Sequence, residues 1–141
     1  MKILVINGPN LNMLGIREPE IYGYRTYKNL VSFIKDLCPE ADVYQSNHEG
    51  DIIDKIQQAY GKYEGIIINP AGYTHTSIAI GDALKAVAIP SVEVHLSNIN
   101  EREQYRKISF VRDACEKNFM GNGFDSYKDA IFYLYNRGHD T

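Results

Sequence analysis

At 141 residues the chain has the length of one domain, since two would each fall short of the usual ~100–150 residues. Hydrophobic residues make up 44% and charged residues 23%, which excludes a wholly disordered or fibrous chain; no apolar stretch approaches the roughly 18 residues of a membrane span. Fifteen Lys plus Arg against eighteen Asp plus Glu leave a net charge of −3 with the signs interspersed, so neither a membrane nor nucleic acid is an expected partner.

Residues 2–6 are a short β-branched run ending at the turn Asn7-Gly8-Pro9-Asn10, and they read as a buried strand. Met1 and Lys2 lead straight into this run without the apolar region and cleavage site of a signal peptide, from which a cytoplasmic location is expected. From Tyr27, the positions Leu30, Phe33 or Ile34, and Leu37 recur at helical spacing behind Thr26 as cap, with Pro39 as stop. The alternation repeats as strand 41–46, helix 52–60 closed by Gly61, strand 65–68, helix 77–86, and strand 91–94 introduced by Pro90. Asn100 with Glu103, and Ser126 with Asp129, have capping-box spacing, so helices are predicted to begin at both places. Between them, 114–120 reads as a fifth strand, and its Glu116, Lys117 and Asn118 are polar enough to put it at a sheet edge. Strands alternating with helices indicate right-handed βαβ units. The expected fold is α/β: a flavodoxin-like, doubly wound, five-stranded parallel sheet of order 2-1-3-4-5, in a single domain spanning 1–141.

Such sheets bind ligands beyond the carboxyl ends of their strands, at the switch point between strands one and three. The segments that converge there are unusually rich in Asn, Gly, Arg, Tyr and His, and they include the long connection 7–24 and the histidines His75 and His95. No G-x-G-x-x-G and no P-loop lysine follow a strand, so nucleotide cofactors are not expected. His48, His75 and His95 lack metal-ligand spacing and an acidic cluster, and no metal is expected. Cys38 and Cys115 are too far apart for a C-x-x-C motif and are expected to be free thiols. No G-x-S-x-G elbow is present, and neither Lys2 nor Lys28 has a desolvating context for Schiff-base work. Acid–base chemistry on a small oxygenated molecule is what remains. Two alternatives stay open at this point: a non-catalytic flavodoxin-like module binding a flavin or acting as a receiver, and a different lyase or hydratase acting on a polyhydroxy acid. Against a receiver, Asn7 and Asn69 stand where acidic residues would be needed.

Five segments in order carry a resemblance: Asn7-Gly-Pro-Asn-Leu-Asn12, Arg17-Glu-Pro-Glu-Ile-Tyr22-Gly23, Gln45-Ser-Asn-His-Glu-Gly50, Asn69 to Ser77, and Val92-Glu-Val-His-Leu-Ser-Asn98. Together they resemble type II 3-dehydroquinate dehydratase, from the first strand to about Tyr135. The resemblance implies reversible dehydration of 3-dehydroquinate to 3-dehydroshikimate in the shikimate pathway of aromatic amino acid biosynthesis, by anti elimination through an enolate and without a cofactor.

Carried over by residue, Tyr22 matches the general base and Arg17 the arginine that activates it. An unperturbed tyrosine has a pKa of ~10, so a nearby guanidinium must favour the phenolate. His95 matches the general acid at the departing hydroxyl; Glu93, two residues earlier on the same strand face, reads as its orienting partner or equally as a structural salt bridge. Asn10 matches the residue that helps hold a water against the enolate oxygen. Leu96 and Ser97 match the donors to the substrate carboxylate, and Asn69, His75 and Arg106 the groups on the ring and its hydroxyls. Asp82 matches a contact supplied by a neighbouring subunit, which implies a homo-oligomer, a dodecamer of four trimers. Arg102 resembles a loop-ordering residue, although a solvated helix arginine reads equally well. Gly81 departs from the pattern: the family often carries arginine there, and glycine inside a helix costs ~1 kcal/mol relative to alanine, so different subunit contacts are expected at that point.

Overall fold

The structure, a computed structural model, describes residues 1–16, 18–22 and 24–137, with Ile21 and Tyr22 described by their backbone alone. Five parallel strands, β1 (Ile3–Asn7), β2 (Asp42–Gln45), β3 (Gly65–Asn69), β4 (Ser91–His95) and β5 (Lys117–Met120), form one sheet in the order β2-β1-β3-β4-β5. The expected doubly wound topology is therefore present. Central strands β1, β3 and β4 are buried along their whole length, as continuous Val/Ile-rich runs covered on both faces must be.

Alternation along each strand splits the core in two. Ile3, Val5, Ile67, Val92 and Val94 pack with Leu30 and Ile34 of α2 (Tyr27–Leu37) and with Tyr127, Ile131 and Leu134 of α5 (Asp125–Asn136). Leu4, Ile6, Ile66 and Ile68 face the other way, against Ile52 and Ile56 of α3 (Glu49–Gln58) and Ile80 and Leu84 of α4 (Ile78–Val87). No helix among the described residues is long and apolar enough to cross a membrane.

The helix starts follow their caps. Thr26 accepts from the Asn29 backbone while the Asn29 side chain accepts from the Thr26 backbone, closing a capping box for α2. Ser77 accepts from Ile80 N at 3.0 Å to begin α4. Helix α3 starts at Glu49, earlier than expected, because polar first-turn residues carry no apolar period to reveal them.

Three expectations are corrected. The fifth strand is shorter than 114–120: it covers only Lys117–Met120, preceded by a 3₁₀ turn at Arg112–Ala114, although its edge position holds. No α-helix begins at Asn100; Asn98 caps a single 3₁₀ turn, Ile99–Glu101, by accepting from Asn100 N at 3.0 Å, and Glu103 is extended at φ −58°, ψ 152° before a second turn, Gln104–Arg106. This stretch lacks an apolar stripe to lay against the sheet, so the local capping signal has nothing to propagate. Ser126 is not an N-cap either; it lies buried inside the first turn of α5, where its Oγ accepts from Asn122 N at 3.3 Å. The long connection after β1 holds a 3₁₀ turn, Leu11–Met13, and a four-residue helix α1 (Pro19–Tyr22).

Candidate active site

The carboxyl ends of β1, β3 and β4 open into a crevice of about 190 Å³ whose lining includes Asn10, Asn69, His75, His95, Leu96, Ser97, Arg102 and Arg106. A more open depression of about 600 Å³ continues past Leu96 and Ser97 to Pro19, Glu20, Tyr24 and Arg25. Of the other expected site residues, Arg17 lies outside the described residues, as does the side chain of Tyr22, whose backbone closes α1. Asp82 is exposed on α4 and is not part of the crevice lining.

The floor is a hydrogen-bonded set of amides and phenols. Asn7 and Asn69 are paired in register at the ends of β1 and β3. Tyr127, fully buried on α5, donates to Asn7 Oδ1 at 2.6 Å and accepts from Asn69 Nδ2 at 3.0 Å. Asn7 Nδ2 donates to Tyr27 Oη at 3.4 Å, and Asn69 Oδ1 accepts from Ala71 N at 3.1 Å. Burial pushes the hydroxyls of Tyr27 and Tyr127 upward, so both are neutral phenols that orient the floor rather than take protons.

Above the floor, the turn after β1 is built to bring Asn10 to the rim. Gly8 donates to Asn69 O at 2.8 Å, and any Cβ there would stand 2.5 Å from the Pro70 carbonyl oxygen. Asn10 adopts φ 70°, and its backbone N–H donates to Asn47 Oδ1 at 3.0 Å. Gln45 Nε2 donates to the same oxygen at 3.0 Å and to Gly8 O at 3.2 Å, which gives the Gln45-Ser-Asn segment a bracing role.

His95 sits at the end of β4, 5% exposed, with Nε2 at 2.5 Å from Glu93 Oε2. The Glu93 carboxylate is therefore in contact with the ring, and it has more company than the sequence suggested. Ser109 Oγ donates to Glu93 Oε2 at 2.9 Å, while Arg112 reaches Oε1 through Nε at 3.1 Å and Oε2 through Nη2 at 3.3 Å. Burial works against the Glu93 charge, but the donors from His95 and Arg112 outweigh it and hold the carboxyl down at about 2. Ser109 and Arg112 were not legible as site residues, since Ser109 lies in irregular backbone and Arg112 opens a short 3₁₀ turn, with no motif; their spacing of three is the one hint.

His75 donates through Nδ1 to Ile108 O at 2.7 Å, and burial pulls its ring toward the neutral form, with His95 and Arg106 adding to the same effect. Arg106 is paired with Glu103 at 2.6 Å, and Arg102 lies 3.8 Å from Glu18, tying the rim of the crevice to the segment before α1. Among the described residues, no three His, Cys, Asp or Glu side chains converge closely enough to hold a metal ion.

Gly81 has a reason internal to the chain. A Cβ there would collide with the Phe110 carbonyl oxygen, so the glycine lets the segment carrying Ser109 and Arg112 lie directly on α4. This close approach within the chain accounts for the glycine whatever the contacts between subunits are.

The crevice thus offers an imidazole backed by a buried carboxylate, cationic and neutral donors around it, and the segment of Tyr22 at its entrance. The description "Dehydroquinase class II" fits residues 1–135 of the chain as a family model. A 3-dehydroquinate dehydratase from Clostridium acetobutylicum is 56% identical over 140 residues, covering 96% of this chain and 97% of that protein. A catabolic 3-dehydroquinase 1 from Fusarium vanettenii is 53% identical over 135 residues, covering 93% and 94%. Among solved structures, the type II dehydroquinase from Butyrivibrio crossotus superposes with a TM-score of 0.94 at 54% identity, over 96% of this chain and 97% of that one. With the sheet order, the crevice and these relatives in agreement, the chain belongs to the class II dehydroquinase family.

Proposed function

We propose that this single catalytic domain, residues 1–141, carries out its family's 3-dehydroquinate dehydratase reaction by anti elimination through an enolate, with its own side chains supplying every proton transfer. Tyr22, activated as a phenolate by Arg17, removes a proton from C2 of 3-dehydroquinate. The developing enolate oxygen is met by a water held by Asn10. His95 then gives its proton to the C1 hydroxyl, which leaves as water, and the enolate collapses to the conjugated enone of 3-dehydroshikimate. The backbone N–H groups of Leu96 and Ser97 with the Ser97 hydroxyl take the carboxylate, and Asn69, His75 and Arg106 take the ring hydroxyls. A base, an acid and an oxyanion donor on the chain leave no step that calls for a cofactor.

The observation that carries this reading is the buried Glu93 carboxylate against His95 at the end of β4. A carboxylate there steadies the protonated ring, and the ring's other nitrogen is left to meet the leaving hydroxyl. The assembly follows from Asp82. It lies on α4 one turn from the exposed Ile78, with Tyr105, Ile108 and Phe110 as further exposed apolar groups in this region of the chain, and covering such a face in a dodecamer of four trimers brings Asp82 to a neighbour's crevice.

Incubation with 3-dehydroquinate while recording the ultraviolet absorbance of the enone tests substrate and reaction together. Tyr22→Phe is expected to lower kcat by ~10²–10⁴-fold with substrate still bound. His95→Gln is expected to stop elimination while exchange of the C2 proton with deuterium oxide continues. Near-full turnover by Tyr22→Phe, or loss of exchange in His95→Gln as complete as in Tyr22→Phe, overturns the assignment of base and acid.

A further inference from the structure

We infer that Arg112 is a positioning residue of the acid: its guanidinium fixes the Glu93 carboxylate in the orientation that holds the His95 ring for proton delivery. This rests on the reading of His95 as the acid.

Glu93 is fully buried, so its charge needs a cationic partner. His95 serves while it carries its proton, but an acid gives that proton away once per turnover and then faces the carboxylate as a neutral ring. A guanidinium does not titrate in this range. Arg112 therefore compensates Glu93 in both halves of the cycle, and the carboxylate remains an acceptor for the ring throughout.

The geometry suits that role. Nε and Nη2 of Arg112 engage the two carboxylate oxygens separately, at 3.1 and 3.3 Å, while Ser109 and His95 both approach Oε2. A carboxylate held at both oxygens cannot turn about its own axis, and a point charge could not impose that restraint. The segment that delivers Arg112 is itself seated: Phe110 N donates to Thr74 O at 2.9 Å, His75 donates to Ile108 O, Val111 is buried, and Gly81 receives the Phe110 carbonyl. The Arg112 side chain remains 34% exposed, and neither it nor the fully buried Glu93 belongs to the crevice lining, so it acts from outside the crevice.

Other charged or titratable groups face the pair among the described residues. From the crevice side come His75, held toward neutrality by burial, and the cations Arg102 and Arg106. Cys115 lies beside Glu93 and Arg112, and burial together with the Glu93 charge pushes its thiol up to about 12, so it stays neutral. Among the described residues Arg112 is the cation seen in direct contact with the Glu93 oxygens, and its removal leaves the carboxylate to His95 and the neutral Ser109 hydroxyl.

The experiment compares the parent, Arg112→Met, Arg112→Lys and His95→Gln as full chains. It measures kcat and KM against pH, C2 exchange in deuterium oxide, and the nitrogen-15 titration of the His95 ring, assigned by its loss in His95→Gln. In Arg112→Met the expected result is a fall in kcat of about tenfold with KM changed less than about threefold. Exchange is retained, the alkaline limb of kcat moves up by about one pH unit, and the His95 ring titrates at higher pH than in the parent. Arg112→Lys restores the position of the limb but only part of kcat. A parent-like alkaline limb and His95 titration in Arg112→Met overturn the proposal, as does an equal fall in exchange and elimination. Failure of the underlying reading is separately visible: His95→Gln would then dehydrate normally or lose exchange, while the His95 titration in Arg112→Met still decides whether Arg112 acts on the ring.

Discussion

Replacing Glu93 by glutamine preserves the shape of a buried side chain while removing the charge on which His95, Ser109 and Arg112 converge. Desolvation by itself raises the carboxyl, yet the donors hold it at about 2 against 4.5 for an ordinary glutamate. At ~1.4 kcal/mol per pH unit, that difference corresponds to about 3 kcal/mol of stability at neutral pH. Breaking a buried charged pair by removing one partner costs ~3–5 kcal/mol, which is consistent. Arg112 is partly exposed and regains some hydration when its partner goes, which places the expected loss at about 2–3 kcal/mol. The sign of the pH dependence follows from the direction of the shift. A group held down in the folded state contributes fully above its unfolded value, here 4.5, and that contribution disappears as pH falls through the folded value of about 2. Urea unfolding of parent and Glu93→Gln at one protomer concentration, from pH 7 down to pH 3, reads this directly. The gap between them is expected to be ~2–3 kcal/mol at pH 7 and to narrow steadily below pH 4.5. A gap of equal size at every pH, or one under ~0.5 kcal/mol at pH 7, would refute the account of Glu93 as a compensated buried charge.

Tyr127→Phe deprives Asn7 Oδ1 of its donor and Asn69 Nδ2 of its acceptor inside a buried floor, and is expected to cost ~1–3 kcal/mol in urea unfolding; an unchanged midpoint counts against the floor as a structural unit. Gly81→Ala drives the Phe110 carbonyl off α4 and is expected to cost ~1–3 kcal/mol and to lower kcat together with it, whereas a gain in stability from better helix propensity would show that the close approach is not required. Chains carrying Tyr22→Phe, unfolded and reassembled with chains carrying Asp82→Asn, are expected to recover more activity than either alone, since mixed assemblies contain sites with both residues intact; no recovery excludes a shared site. The Cys115 thiol, held protonated up to about pH 12, is expected to react with iodoacetamide at pH 8 at least tenfold more slowly than free cysteine.

The sheet order was legible because its signals are redundant: each central strand is a short apolar run between turn residues, and the alternation with helices leaves few topologies. The crevice was legible because the switch point is a property of that order, and Asn10, Asn69, His75, His95, Leu96, Ser97 and Arg106 line it as expected. What failed was the reading of isolated capping signals. Asn100 with Glu103 has the spacing of a capping box, but a box stabilises a helix by only about a kilocalorie and cannot create the apolar face that makes one persist; where that face exists, α5 begins at Asp125 as expected although Ser126 is not its cap. After Asn100, Arg102 and Arg106 turn to the crevice, and Glu103 leaves helical backbone altogether.

Gly81 and Arg112 illustrate why the rest of the site was not readable position by position. Taken alone, Gly81 is a weak residue in a helix, and Arg112 an ordinary surface arginine beside an aspartate. Their meaning comes from a contact between segments far apart in the chain: a helix stripped of one Cβ accepts the Phe110 carbonyl, the backbone from Ile108 to Val111 settles against Thr74 and His75, and the turn that follows swings a guanidinium onto a carboxylate two positions before the candidate acid. Each of these steps is fixed by sterics or by a single hydrogen bond, and none leaves a periodic trace in sequence. A side chain that acts through another in this way is selected for where its segment lies rather than for what precedes it, so it becomes visible only when the partner, here a fully buried carboxylate, demands a counter-charge.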